Sequence, residues 1–214
     1  SLGHAGFMWA GAFSGALFTK CMADTIGNPV VCFAIAVVVG AATAAVFGIL
    51  IGVPVLRLQG DYLAIVTLAF GEIIKNIVNA LFIGRDENGL HFSLKSAMDL
   101  NLADGGEVLI KGPQGITGNP RVASFTIGVI LILITLFIVQ NVINSRTGRA
   151  VMAIRDNRIA AQSVGLSVTK YKLMAFTISA ALAGVGGVLY AHNLTTLTAL
   201  PKNFGYNQSI MILV

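Results

Sequence analysis

Charge is scarce in this chain. Lys, Arg, Asp and Glu make up 11% of its 214 residues, against about 25% in a typical soluble domain, while hydrophobic residues reach 56% and mean hydropathy is +0.83. That composition cannot furnish a water-facing surface, so a membrane protein is expected rather than a soluble globular fold. Cysteine is nearly absent too. Cys21 and Cys32 fit no metal-ligand spacing and say little about redox compartment, and Cys32 lies in an apolar run where it reads as a small hydrophobe. His4, His91 and His192 are far apart and lack neighbouring ligands, so no metal site is expected. The sequence also lacks a G-x-x-x-x-G-K-S/T phosphate loop, a G-x-S-x-G nucleophile elbow and an H-E-x-x-H pair. With none of these, no catalytic residue and no cofactor is assigned, and the chain is not read as an enzyme. No signal-peptide pattern opens it. It starts at SLGHAGF and stops inside the apolar SIMILV, and is expected to be truncated at both ends.

What the sequence does have is apolar runs of membrane length. Residues 30–51, 63–83, 122–143 and 173–191 are each long enough to cross a bilayer, which takes roughly 20 residues of helix. Residues 5–18 form a shorter Gly- and Ala-rich stretch, read as a clipped or broken helix, and 203–214 begin a further run. The fold class is therefore an all-α polytopic membrane protein with about six spans, four complete and two partial.

The net charge of +5 is concentrated rather than spread. The 144–172 connection carries Arg146, Arg149, Arg155, Arg158, Lys170 and Lys172 against Asp156 alone. By the positive-inside tendency that loop is cytoplasmic, and nucleic-acid binding is given no weight. Counting spans, the 84–121 connection is then extracytoplasmic, and its four Lys/Arg against five Asp/Glu show no inward bias. Residues 84–110 read as an extramembrane loop, and KGPQGITGNP at 111–120 as a Gly/Pro turn whose exposed N–H groups could also meet an anion.

Two charges sit inside a span. Glu72 and Lys75, three residues apart, can pair on one helix face. Ionisable groups at that depth cost at least about 2.5 kcal/mol each on insertion scales, so they are expected to face the protein interior. A structural ion pair explains them; the functional alternative is that Thr67, Glu72, Lys75 and Asn76 line a path for a polar or zwitterionic solute, with Asn79 on the same helix. In the last complete span, Ser179, Ala183 and Gly187 recur at four-residue spacing beside Ala180 and Gly184. Small residues in such a stripe allow close helix packing in lipid.

Within the basic loop, Thr147 is a candidate N-cap, 149–164 a short helix, and Gly165 its C-terminal glycine. Ala150, Ile154, Ala161 and Val164 form an apolar stripe, interrupted by Asn157, that could seat in a groove of a partner. On charge alone the segment reads sooner as a solvated basic loop that only fixes topology.

The segment SRTGRAVMAIRDNRIAAQSVGLSVTKYKLMAFTISAALAGVGGVLYAH, from residue 145, resembles nearly throughout the branched-chain amino acid permeases of ABC importers. LRLQGDYLAIVTLAFGEIIKNIVNAL (56–81), the opening SLGHAGFMWAGAF and the closing NFGYNQSIMILV look like the same family in the same order. Residues 84–110 look longer than the family's usual connection. The resemblance implies that Arg146, Gly148, Arg149, Ala153, Arg155, Asp156, Asn157, Ala160, Ala161 and Gly165 form the coupling element that docks on an ATPase. Ala160, Ala161 and Gly165 occupy positions of the importer coupling motif, and Ile159 stands where that motif has an acid.

The resemblance further implies a multi-pass protein of a bacterial or archaeal plasma (inner) membrane. Its partners would be a second permease subunit, two cytoplasmic ATPase subunits and an extracytoplasmic solute-binding protein, and its cargo a branched-chain or similar amino acid. A urea or short-amide importer permease is the nearest alternative. From a different class come an ion-coupled transporter using Glu72 as proton carrier and a membrane scaffold. The topology yields a direct prediction: a membrane-impermeant thiol reagent added outside should modify a cysteine placed at Ser96 and spare one placed at Ser167. The opposite labelling pattern would invert the topology.

Overall fold

The computed structural model describes residues 3–23, 25–58, 61–86, 89–96, 98–100 and 106–198. Among the described residues seven α-helices run in order: α1 (His4–Met22), α2 (Pro29–Val55), α3 (Asp61–Ala80), α4 (Phe125–Asn144), α5 (Arg146–Asp156), α6 (Arg158–Ser163) and α7 (Val168–Ala191). Long apolar sequence forms helix in lipid because only internal hydrogen bonds satisfy the backbone there. Helices α2, α3, α4 and α7 are long and apolar enough to span a membrane. Their starts are marked locally: Asn28 and Ser124 accept from the N–H groups of Val30 and Ile127, and Pro29 takes the first turn of α2.

Helices α1, α2 and α7 pack closest. Successive contacts of α1 with α7 advance together, Gly11 on Gly184, then Gly15 on Val188, then Thr19 on His192, so these two helices run parallel. Against α2 the order reverses: Gly40 and Ala44 lie near Gly184, Gly48 near Ala180, and Gly52 near Leu173. The backbones nearly touch. A Cβ added to Gly11 would lie 2.5 Å from the Gly184 Cα, and one added to Gly184 would lie 2.6 Å from the Gly40 carbonyl oxygen. The Ser14 and Thr43 hydroxyls, 2.7 Å apart, bridge α1 and α2 beside this crossing.

The two ends of the bundle are built differently. At one end, β1 (Phe82–Asp86), β2 (Gly89–Ser93) and β3 (Glu107–Lys111) form an antiparallel sheet in the order β2-β1-β3. Ile83 and Ile110 pack with Trp9, Phe13 and Ala16 of α1. The Arg85 guanidinium donates to the Cys21 carbonyl at 2.8 Å. A second ladder, β4 (Ile116–Thr117) with β5 (Thr196–Leu197), ties the chain after α7 to the same end. Here His192 is fully buried: Nδ1 donates to the Val188 carbonyl at 2.8 Å, leaving Nε2 to accept from the Thr19 hydroxyl at 2.9 Å. Burial pushes its pKa below the usual histidine value, against an opposing effect of the Val188 bond. At the other end α5 and α6 fold onto the start of α7, and Gly52 near Leu173 brings the end of α2 there.

Several expected boundaries shift. The run over 63–83 is helical only to Ala80, because Phe82 and Ile83 leave the helix to pair with Ser93 and Phe92. The 173–191 span starts earlier, at Val168, and so takes in Lys170 and Lys172. The 5–18 stretch extends over 19 residues and includes Lys20. The described residues of 84–110 are not a plain loop but carry most of the sheet, an addition to the helical frame. The run at 203–214 lies outside the described residues. No residue of α4 is buried.

The crossing predicts an asymmetry between neighbouring glycines of α7. Gly184→Ala should destabilise the protein by about 1–3 kcal/mol, the usual cost of overpacking. Gly186→Ala, with nothing within 4 Å of the added Cβ, should be neutral or raise the melting temperature, since alanine is the better helix former by about 1 kcal/mol. Thermal unfolding of the purified protein measures both.

Candidate functional site

Helix α4 passes into α5 through Ser145, whose extended backbone ends one helix and caps the next. Its hydroxyl accepts from the Gly148 N–H at 3.1 Å and donates to the Val142 carbonyl at 2.6 Å. The expected cap, Thr147, is already inside the helix. Gly148 is buried against the end of α4, where a Cβ would come 2.6 Å from the Ile143 carbonyl carbon. A side chain there would force the elbow open. Arg149 steadies the same turn by donating to the Asn144 carbonyl at 3.1 Å.

The helix expected over 149–164 is two helices. Asn157 is extended, at φ −151° and ψ 105°, and its side chain accepts from the Ala160 N–H at 3.0 Å. It therefore stops α5 and restarts the chain as α6; a good N-cap residue in mid-segment competes with helix continuation. Gly165, at φ +84°, ends α6, with Leu166 N–H bonding back to the Ala161 carbonyl.

The apolar stripe is turned largely inward. Ile154, Ala161 and Val168 form a buried cluster flanked by Leu166 and Tyr171, and Ala150 is buried as well. Only Val164, 77% exposed, faces out. The stripe thus fastens the elbow to α7 of its own chain. Its outer surface carries Ala153, Arg155, Asp156, Arg158, Ala160 and the 77% exposed Ile159. Arg155 and Asp156 hydrogen-bond at 3.1 Å, but both are open to solvent, so the pair contributes little stability. Arg146, at the first position of α5, is also exposed.

Arg155 also reaches into a groove of about 490 Å³ between α4, α5 and α7, where Ile143, Met152 and Ile178 form apolar walls and Ser179 adds a hydroxyl. Ser179 hydrogen-bonds His4 of α1 at 3.0 Å. Gly184 and Gly187 lie on the buried face of α7, and Ala183 packs with the Phe7, Ile51 and Ile74 cluster.

Glu72 and Lys75 of α3 form an ion pair, with the Lys75 side chain 12% and the Glu72 side chain 33% exposed. Thr67 and Asn76 do not join them. Thr67 is buried and its hydroxyl donates to the Ala64 carbonyl of its own helix, whereas Asn76 is exposed. The sequence offered no signal for the Thr19–His192 bond or the Ser14–Thr43 bridge, because each joins residues far apart in the chain. Among the described residues no group of three His, Cys, Asp or Glu could hold a metal ion.

A family model described as branched-chain amino acid transport system, permease component, matches residues 1–214. The high-affinity branched-chain amino acid transport system permease proteins LivM of Salmonella typhimurium and Escherichia coli are each 34% identical over 221 residues, covering 99% of this chain and 50% of theirs. The chain thus spans half the length of those relatives. A shorter match, 41% over 66 residues, covers 30% of this chain and 20% of the probable ABC transporter permease protein YphD of Escherichia coli. No solved structure matches the chain.

The unequal exposure of the ion pair sets an order of damage. Glu72→Leu strands the more buried ammonium and should lower the melting temperature more than Lys75→Leu, which leaves a carboxylate with better access to water. The double replacement, which strands neither charge, should be the mildest of the three in thermal unfolding.

Proposed function

The chain belongs to the branched-chain amino acid transport system permease family, and from that premise we propose that it is the membrane-spanning core of a permease subunit in an ATP-driven importer of branched-chain or similarly hydrophobic amino acids. It is a multi-pass protein of the plasma (inner) membrane. A second permease subunit, two cytoplasmic ATPase subunits and an extracytoplasmic solute-binding protein complete the proposed assembly. Residues 144–172 are its cytoplasmic coupling element, and 84–121 lie on the opposite side of the membrane.

The observation that carries this reading is the elbow formed by α5 and α6. A mere topological anchor needs positive charge and nothing more. This segment is instead a fixed shape, capped by Ser145 and Asn157, terminated by Gly165, and held to α7 by Ile154 and Ala161. It also exposes two branched aliphatic side chains, Ile159 and Val164, beside the charged Arg155, Asp156 and Arg158. Exposed apolar groups rimmed by polar ones mark an association surface. In the proposed assembly the ATPase covers them, and ATP-driven movement of that partner is delivered through the elbow to α4 and α7 together. The Glu72–Lys75 pair is assigned to structure, since Thr67 and Asn76 do not gather with it into a polar path.

Ile159 gives a cleaner test than the buried alanines, because Ala161→Arg would disrupt the elbow's own core. In the full-length chain expressed with its ATPase, Ile159→Arg should leave the permease inserted and its melting temperature near wild type while the ATPase no longer copurifies. Ile159→Leu should retain it. Normal ATPase recovery and solute-stimulated ATP hydrolysis with Ile159→Arg would return the segment to a topological role.

A further inference from the structure

Strand β2 reads Gly-Leu-His-Phe-Ser, and Leu-Lys follows it, so apolar and polar side chains alternate with the period of a strand. Directly opposed residues of an antiparallel pair share a face, and the register sets Phe92 against Ile83 and Leu90 against Arg85. Two separate contacts fix where that face points. Ile83 packs into the cluster around Trp9 and Phe13 of α1, and Arg85 reaches the Cys21 carbonyl near the end of α1. The face bearing Leu90 and Phe92 is therefore the one turned toward the helices. Yet Leu90 is 47% exposed, Phe92 64%, and Leu94, just beyond the strand, 67%. The edge strand overhangs the bundle with its apolar side directed down along the spans. The opposite face bears His91, 3.1 Å from Asp86, and Ser93.

We propose that β2 is an interfacial membrane anchor, resting its apolar face in the headgroup region of the bilayer beside the helical bundle. The occupant follows from continuity with the exposed apolar side of a membrane-length helix: α3, which runs into β1 at Leu81 and Phe82, exposes Ile65, Ile73 and Ile77 along its length, and the overhang continues that surface sideways at the same end. An edge strand cannot enter the hydrocarbon itself, because its unpaired N–H and C=O groups need water or another strand. It can lie at the headgroup level with its backbone hydrated while Leu90, Phe92 and Leu94 dip about 5–10 Å inward, the depth usual for interfacial amphipathic elements. The sheet then holds the end of α3 at a fixed height in the membrane.

Single-tryptophan additions to the full-length permease, reconstituted in phosphatidylcholine vesicles, test this. Trp9 is buried and remains in every sample, so the added emission is read by difference from the wild type. Phe92→Trp should emit at shorter wavelength than His91→Trp and lose most of its added signal in vesicles whose acyl chains are brominated near the headgroup. Bromination near the chain end should quench it less. His91→Trp, on the opposite face, should instead be quenched by acrylamide in water. Acrylamide quenching of Phe92→Trp without bromolipid quenching would place the strand in solvent, and protection from both quenchers would place a protein partner on it; either result overturns the anchor. Leu94→Trp repeats the measurement should Phe92→Trp fail to insert.

Discussion

The approach of three helix backbones at Gly11, Gly40 and Gly184 is the constraint on which the rest of the molecule depends. In lipid there is no hydrophobic drive to hold helices together, since acyl chains solvate leucine as well as another helix does; close van der Waals contact and hydrogen bonds between helices supply the association instead. Without side chains at the crossing, α1, α2 and α7 come near enough for Ser14 to reach Thr43 and for Thr19 to reach His192. Those bonds lock the helices lengthwise, because a slide of one turn would separate each pair. The remaining spans have less to grip. Helix α4 buries none of its residues, and its apolar surface is suited to acyl chains or to a further subunit.

A rigid centre gives meaning to the elbow at one end and the sheet at the other. Helices α5 and α6 are joined to α4 through the Ser145 cap and to α7 through Ile154, Ala161 and Val168. A partner pressing on Ile159 and Val164 would therefore act on two spans at once. Helix α7 is the one that crosses α1 and α2 at the glycines, so displacement at its start is carried into the core rather than absorbed in a loose loop. At its far end α7 is tied again, by His192 to α1 and by β5 to β4. Under the proposed function, motion imposed at the elbow tilts or shifts a fastened three-helix unit, and α4 moves with it or shears along the groove that separates it from α7.

How much of this was legible in the sequence differs by feature, for physical reasons. Spans were readable because the bilayer imposes a length and excludes charge, a constraint acting on each segment alone. The place of the elbow was readable from its Lys/Arg excess, and the C-terminal turn at Gly165 from the glycine itself. Its inner geometry was not. Ala150, Ile154 and Ala161 announce an apolar face but not its owner, and the first turn of α7 claims it before any other protein can. The break at Asn157 was visible only as an interruption of the stripe, since a capping residue inside a helical pattern stops the helix only where packing favours the bend. On α7 the small residues Ser179, Ala183, Gly184 and Gly187 signalled a tight contact, but Gly11 and Gly40 as its other members depend on how three helices are set against one another in register, information no single segment contains.

The sheet marks the sharpest boundary of such reading. Its Asp, Asn and Gly content made 84–110 read as an extramembrane loop. The period of its side chains carried the missing information: Leu90, Phe92 and Leu94 alternate with His91, Ser93 and Lys95, a pattern that averages to indifference and yet separates two faces completely. Helix propensity misleads at the same place, because Leu81, Phe82 and Ile83 extend the apolar run of α3 past the point where the chain must turn. Once Ile83 finds Trp9 and Phe13 and Arg85 finds the end of α1, the strand direction is fixed, and with it the side from which β2 must project. Two contacts of β1 thus decide the exposure of the strand paired beside it, as pairing register carries a local preference into a neighbouring segment.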